Sequence, residues 1–403
     1  MASNHAPPAV GPAGVRTSTQ LLQEAKKLKA SLKTLLTDTN ARPGSSEVEF
    51  ARRNLRNTLL NLLFGHPFTR DSHGIDIFLW IETTHPLVAS YRAHLSELKK
   101  ALAAGNAAGA NGGLNKGARK QKAVEYSKNL SEFRKFLEAE DVFWQELASR
   151  VTRAFGLDEA RASLKALDIP CEEDVFSDGG ARLSSNDGAF DRSARPTPGS
   201  MSIDPQSIKQ MALQPSNRQR LLEIVHKALI CCGDLARYQE MYAETNAQPD
   251  VESQESGSRA HSRNARNGKK GTSAPPAGRQ GNKGRGSPAQ YSRAVTCYEQ
   301  ARSLLPHNGN PSNQIAVIAM YNHDYFGAVY HYYRALCVRV PFETARQNLE
   351  NTFRKALDAW RKEQSDSAAR GMLSPGQGKR ARAAHVWLQE FVALHAMFFL
   401  RKR

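Results

Sequence analysis

Apolar residues recur at helical spacing along most of the chain. From Thr19 to Leu36 the residues Leu21, Leu22, Ala25, Leu28, Leu32, Leu35 and Leu36 predict one amphipathic helix. Pro43 and Gly44 break the pattern, and Ser45 or Ser46 can cap a second helix from about Glu47 to Phe64. Its stripe is Phe50, Leu55, Leu59, Leu60, Leu62 and Leu63. A third helical segment runs from about Asp76 to Leu102, with Pro86 as an internal kink or a fresh first-turn residue. A long helix from about Lys120 to Phe155 offers Val124, Tyr126, Phe133, Phe136, Phe143 and Trp144 as a broad face for burial, and a short one follows from Asp158 to Leu167. Helical patterns return at Ser216–Tyr242, from Thr344 to about Ser365, and from Lys379, where Val386, Trp387, Phe391, Leu394 and Phe398 recur. No stretch sustains strand alternation between hairpin turns, so the fold class expected is all-α.

Between these elements the pattern lapses into polar, Gly-, Ser- and Pro-rich stretches. Residues 1–19, the joints 103–117 and 171–206, and the segment 243–290 are expected to be disordered. The remaining stretch, Tyr291 to Phe342, contains a repeat: Ala294, Tyr298 and Ala301 recur 34 residues later as Ala328, Tyr332 and Ala335. Pro306 has a counterpart one step late at Pro341. Small residues flanking an aromatic at this period, with a closing Pro, form the tetratricopeptide pattern. The small residues let two helices approach, and the aromatic fills the space between neighbours.

Composition narrows the partners. The 403 residues carry a formal charge of +17, which favours polyanions: nucleic acid, phosphorylated protein or an acidic surface. No window approaches the roughly 20 apolar residues of a membrane span. Met1 to Arg16 lacks a long apolar core, so no secretory leader is expected. Cys171, Cys231, Cys232, Cys297 and Cys337 show no CxxC spacing and read as reduced thiols on apolar helix faces. The nucleus is the expected compartment, with the cytoplasm as a second. No P-loop, HExxH, GxSxG or metal-spaced Cys/His cluster occurs, so neither an enzyme nor a cofactor or metal site is expected.

The segment Gly233 to Gln239 (GDLARYQ), the repeat, and Pro306 to Ala319 (PHNGNPSNQIAVIA) followed by Tyr330 to Phe342 resemble one group. That group is the telomerase-associated "ever shorter telomeres" proteins and the related nonsense-mediated-decay adaptors. Leu79 to Arg92 and Phe133 to Leu147 resemble the first half of the same module. The resemblance implies a 14-3-3-like right-handed helical superhelix over residues 20–242, continuing into tetratricopeptide-like helix pairs over 291–342. C-terminal helices over 343–403 are expected to be truncated. From Gly233 to Ala294 is 61 residues, where a tetratricopeptide unit has about 12, so 243–290 reads as a surface insertion within one repeat.

Functionally, the resemblance implies a non-catalytic adaptor that binds a phosphorylated protein, such as an RNA helicase of the decay pathway. The alternative is a subunit that binds telomerase RNA or telomeric single-stranded DNA. The motif GDxxRY implies Arg237 as phosphate clamp, Tyr238 as hydroxyl donor and Asp234 as the carboxylate orienting Arg237. The bland reading is an i,i+3 surface pair worth tenths of a kcal/mol. His85 and Arg92, seven apart on an earlier helix, stand where the family's phosphate binders carry two cations. His85 replaces a Lys and precedes Pro86, which predicts weakened or pH-dependent phosphate binding, or a mere turn residue. In the insertion, Arg263, Arg266, Lys269, Lys270, Lys283 and Arg285 form a polycationic arm without aromatics. It reads as a phosphate-contacting nucleic-acid arm, a localisation signal or a solvated loop. Arg346, Arg354 and Lys355 can extend such a surface.

Overall fold

The computed structural model describes residues 16–37, 42–107, 116–171, 205–243, 291–370 and 379–401. Among them no strand occurs; an isolated parallel bridge joins Asn308 to Val340. The expected all-α class is therefore the one observed. No helix among the described residues is long and apolar enough to cross a membrane. The chain forms two compact units.

The first unit takes in the residues up to Gln239 together with Arg293–Pro311 and Val338–Val340. Helix α1 (Ser18–Thr37) packs on α2 (Ser46–Gly65). Ser45 caps α2 by accepting from the Val48 N–H at 3.4 Å, and Glu47 and Glu49 sit in its first turn, where the helix dipole favours negative charge. Two expectations about buried faces fail for reasons of helical phase. Phe50 is 68% exposed because it precedes Leu59 by nine residues, two and a half turns, and so lies on the opposite face. Arg52 and Arg56 take its place in the interior. Val124 is likewise nine residues from fully buried Phe133 and is 62% exposed.

The expected third helix is composite. A single α-turn, α3 (Ile75–Phe78), opens into a π-helical turn (Leu79–Thr84), and α4 (His85–Ala107) resumes beyond it. Pro86 has no N–H to give to the preceding turn, and the wider π-turn absorbs that loss. The Thr83 hydroxyl donates to the Leu79 carbonyl at 2.6 Å, and Thr83 and Thr84 are both fully buried. Helix α5 (Lys116–Phe155) packs on α4 and supplies the core residues Phe133, Leu137 and Trp144. The Trp80 and Trp144 rings meet edge to face at 5.9 Å. Both α4 and α5 extend into the expected joint 103–117; its remainder lies outside the described residues. Helices α6 (Asp158–Lys165), α7 (Pro205–Ala212), α8 (Pro215–Met241) and α9 (Ser292–Leu304) follow. Of these, α7 was not legible in the sequence.

A buried ionic cluster ties α2, the π-turn and α5 together. Glu140 of α5, 1% exposed, accepts from Arg52 through Oε1, and from Arg56 and Thr84 through Oε2, each of the latter at 2.6 Å. Burial alone would push the Glu140 carboxyl up; the Arg56 and Arg52 guanidinium groups outweigh it and hold Glu140 ionised. The cluster has no local sequence signal, since its members come from distant helices.

The second unit contains Ser312–Cys337 and the residues from Pro341 on. Its core joins α10 (Asn310–Tyr321), α11 (Tyr325–Leu336), α12 (Ala345–Arg370) and α13 (Lys379–Arg401) through Ala316, Tyr332, Leu349, Phe353 and Ala396. The two copies of the repeat occupy equivalent environments: Ala294, Tyr298, Ala301, Ala328, Tyr332 and Ala335 are each at most 3% exposed. Asn308 caps α10 by accepting from the Asn310 N–H at 2.9 Å, a role for the NGNP phrase. On α13 the buried side is Val392, Ala393 and Ala396, whereas Trp387, Leu394 and Phe398 are more than half exposed. Four cysteines are buried as free thiols; Cys337, expected on an apolar face, is exposed at the end of α11.

Candidate functional site: an arginine–tyrosine cluster on α8

The GDLARYQ segment lies on α8, and each residue's role follows from what faces it. A Cβ at Gly233 would fall within the van der Waals shell of the Tyr298 ring, so the absent side chain is what lets α9 press against α8. Tyr298 is fully buried and its hydroxyl donates to Asp234 Oδ1 at 2.8 Å. Arg237, one turn further, donates Nη2 to the same oxygen at 2.8 Å. Burial works against the Arg237 charge, but the Asp234 carboxylate more than compensates, so the guanidinium is held protonated. Burial and the same carboxylate push the Tyr298 hydroxyl far up, so it stays a donor. Asp234, only 8% exposed, is therefore satisfied by two donors from two helices. With Asp234 buried and the Arg237 side chain only 11% exposed, Asp234–Arg237 is more than a solvated i,i+3 pair.

The next residue brings the cluster together. The Arg237 guanidinium carbon lies 4.9 Å from the centroid of the Tyr238 ring. The guanidinium of Arg92, from α4, lies over the same ring at 5.1 Å. Arg92 is exposed and makes no ion pair among the described residues. Two cations from two helices thus lie over one aromatic ring, Arg237 also held by Asp234 and Arg92 by the ring contact, which leaves its charge in place. Chemically it suits an anion with several oxygens, which can take charge-assisted bonds from both forks.

His85 makes a different contact. It is exposed two turns earlier on α4, with its ring 6.2 Å from that of Trp80. Contacts among the described residues thus join Arg237, Tyr238 and Arg92, while the ring contact of His85 is with Trp80. Arg263, Arg266, Lys269, Lys270, Lys283 and Arg285 lie outside the described residues. Arg346, Arg354 and Lys355 are exposed on α12, with Arg354 paired to Glu350 at 2.7 Å. A cavity of about 410 Å³ elsewhere in the first unit is lined by Leu22, Leu55, Leu59, Ile75 and Phe78, and contains none of these residues. No group of three or more potential metal ligands occurs among the described residues.

Sequence reasoning missed two groups here. Tyr298 was legible as the repeat's aromatic but not as the donor that fixes Asp234. Lys227 was not singled out at all. It precedes Asp234 by seven residues and Tyr238 by eleven, so helical spacing alone places the three on one stripe of α8.

Two family profiles match the chain: "Telomerase activating protein Est1" over residues 74–243, and "Est1 DNA/RNA binding domain" over 294–403. Between them they span every residue of the cluster. The chain belongs to this family. Among its relatives, the nonsense-mediated mRNA decay factor SMG7 of Arabidopsis thaliana is 27% identical over 325 residues, 79% of this chain and 22% of that protein. Telomerase-binding protein EST1A of Danio rerio is 24% identical over 196 residues, 46% of this chain and 10% of that protein. The chain thus spans less than a quarter of the length of either family member. A crystal structure of Est1 and Cdc13 aligns over 86% of this chain and 50% of its own, at 12% identity and a TM-score of 0.42.

Proposed function

We propose that this chain is a non-catalytic adaptor of the telomerase-associated and nonsense-mediated-decay family. Its α4–α8 groove binds a phosphorylated segment of a partner protein, and its helical repeats scaffold further proteins in the nucleus. The observation that carries this reading is the convergence of Arg92 and Arg237 on the Tyr238 ring, with Arg237 oriented by Asp234. In this reading the partner is a phosphorylated protein, such as an RNA helicase of the decay pathway. The test is fluorescence anisotropy with a phosphoserine peptide and its unphosphorylated twin. Arg92→Glu is the informative variant, because Arg92 is exposed and its replacement leaves the Asp234 cluster intact. The phosphorylated peptide is expected to bind at least about tenfold more tightly, and Arg92→Glu to abolish the difference. Equal affinities in the wild-type chain would refute the reading.

A second reading is supported by the match of residues 294–403 to a DNA/RNA-binding profile and by exposed Arg346 and Lys355 on α12. In it the basic surface and the arm at 254–290 hold telomerase RNA or telomeric single-stranded DNA through phosphates. Deleting residues 254–290 then flattens the dependence of log K on log salt; an unchanged slope removes the arm from the contact.

A further inference from the structure

A second cation stands on α8 where the π-turn leads into α4. Lys227 Nζ lies 5.5 Å from the Trp80 ring centroid, on the ring that His85 also approaches at 6.2 Å. Trp80 is 8% exposed and packed against Trp144, so it is a fixed platform for the Lys227 stem. Lys227 is half-buried and makes no ion pair among the described residues. The acidic groups facing it are Asp76 of α3 and Glu223, one turn earlier on α8. Neither carboxylate comes within ion-pairing distance of the ammonium among the described residues, so its charge is available.

The two cationic positions are related by simple helix geometry. On α4, His85 and Arg92 are seven residues apart, about 10 Å; on α8, Lys227 and Tyr238 are eleven apart, about 16 Å. An extended peptide advances about 3.3 Å per residue, so those distances correspond to about three to five residues.

Resting on the phosphate reading above, we propose that the groove recognises two anionic groups on one extended peptide. A phosphate sits at Arg92, Arg237 and Tyr238, and a second carboxylate or phosphate sits at Lys227, about three to five residues away along the ligand. The second anion makes the groove a ruler for acidic spacing as well as a phosphate receptor. Lys227 supplies charge at the end where α4 offers His85.

The test uses the full chain and a series of phosphoserine peptides carrying a single Glu, or a second phosphoserine, at varied spacing on either side. A second anion about three to five residues away, on one side only, is expected to tighten binding about three- to tenfold, the phosphate more than the Glu. Lys227→Met keeps the aliphatic stem on Trp80 and is expected to erase that gain, while Lys227→Arg retains it. Neither variant should alter the preference for a singly phosphorylated peptide over its unphosphorylated twin. No gain at any spacing, or a gain that survives Lys227→Met, overturns the inference. Loss of the single-phosphate preference in the wild-type chain would instead be a failure of the underlying reading, so the two outcomes are separable.

Discussion

Gly233→Ala tests the link between the helical stack and the site at one atom. The added methyl meets the ring of Tyr298, which is fully buried and cannot turn outward. Overpacking of this kind costs about 1–3 kcal/mol. If the ring retreats instead, it loses its bond to the Asp234 carboxylate, worth about 1.5–3 kcal/mol. Replacing Gly by Ala inside a helix returns at most about 1 kcal/mol. The balance is a destabilisation of about 1–2 kcal/mol, read as a lower urea midpoint by far-UV circular dichroism. The same substitution in a Tyr298→Leu background meets a smaller, flexible neighbour, and its cost should fall below about 1 kcal/mol, a coupling that a double-mutant cycle isolates. An unchanged or higher midpoint for Gly233→Ala alone, or an equal cost in both backgrounds, would show that α8 and α9 do not depend on that contact.

Other perturbations address separate parts of the first unit. Glu140→Gln leaves Arg56 buried without a counter-charge and Arg52 with Glu49 alone, and should cost about 3–5 kcal/mol in the same assay; a loss under about 1 kcal/mol would mean water reaches the cluster. His226, 4% exposed, has its imidazole pushed down to about 4 by burial, with Lys227 and His307 adding to the effect. The unfolded chain therefore takes up that proton first. Stability present above about pH 6.5 is lost as pH falls towards 4, by at most about 3 kcal/mol. His226→Gln should flatten the urea midpoint across that window, and an unaltered slope would assign the acid sensitivity to other groups.

Much of this architecture was legible because its signals are local. Helical periodicity located the main helices, Ser45 marked the start of α2, and the period of 34 residues paired Tyr298 with Tyr332 in matching buried environments. What escaped were facts of phase and of distant contact. Phe50 and Val124 are apolar but half a turn out of register with their neighbours, and apolarity without phase misassigned them. Nothing local marks Arg52 and Arg56 for burial, because the carboxylate that draws them inward lies more than 80 residues away. Pro86 signalled a disturbance in the third helix, but not that a π-turn would resolve it and bring the His85 ring to that of Trp80. In the site itself, Arg237, Tyr238 and Arg92 were found through a family resemblance. Lys227 required only counting along α8, and Tyr298 required knowing what packs on Gly233.

The central claim is that Arg92 and Arg237 act together on one phosphate. Isothermal titration calorimetry of a phosphoserine peptide against the wild-type chain, Arg92→Ala, Arg237→Ala and the double variant tests it directly. Two forks on one phosphate predict that each single variant loses about tenfold or more, and that the double loses less than the product of the singles. Wild-type affinity in Arg92→Ala, or strictly multiplicative losses, would contradict a shared phosphate.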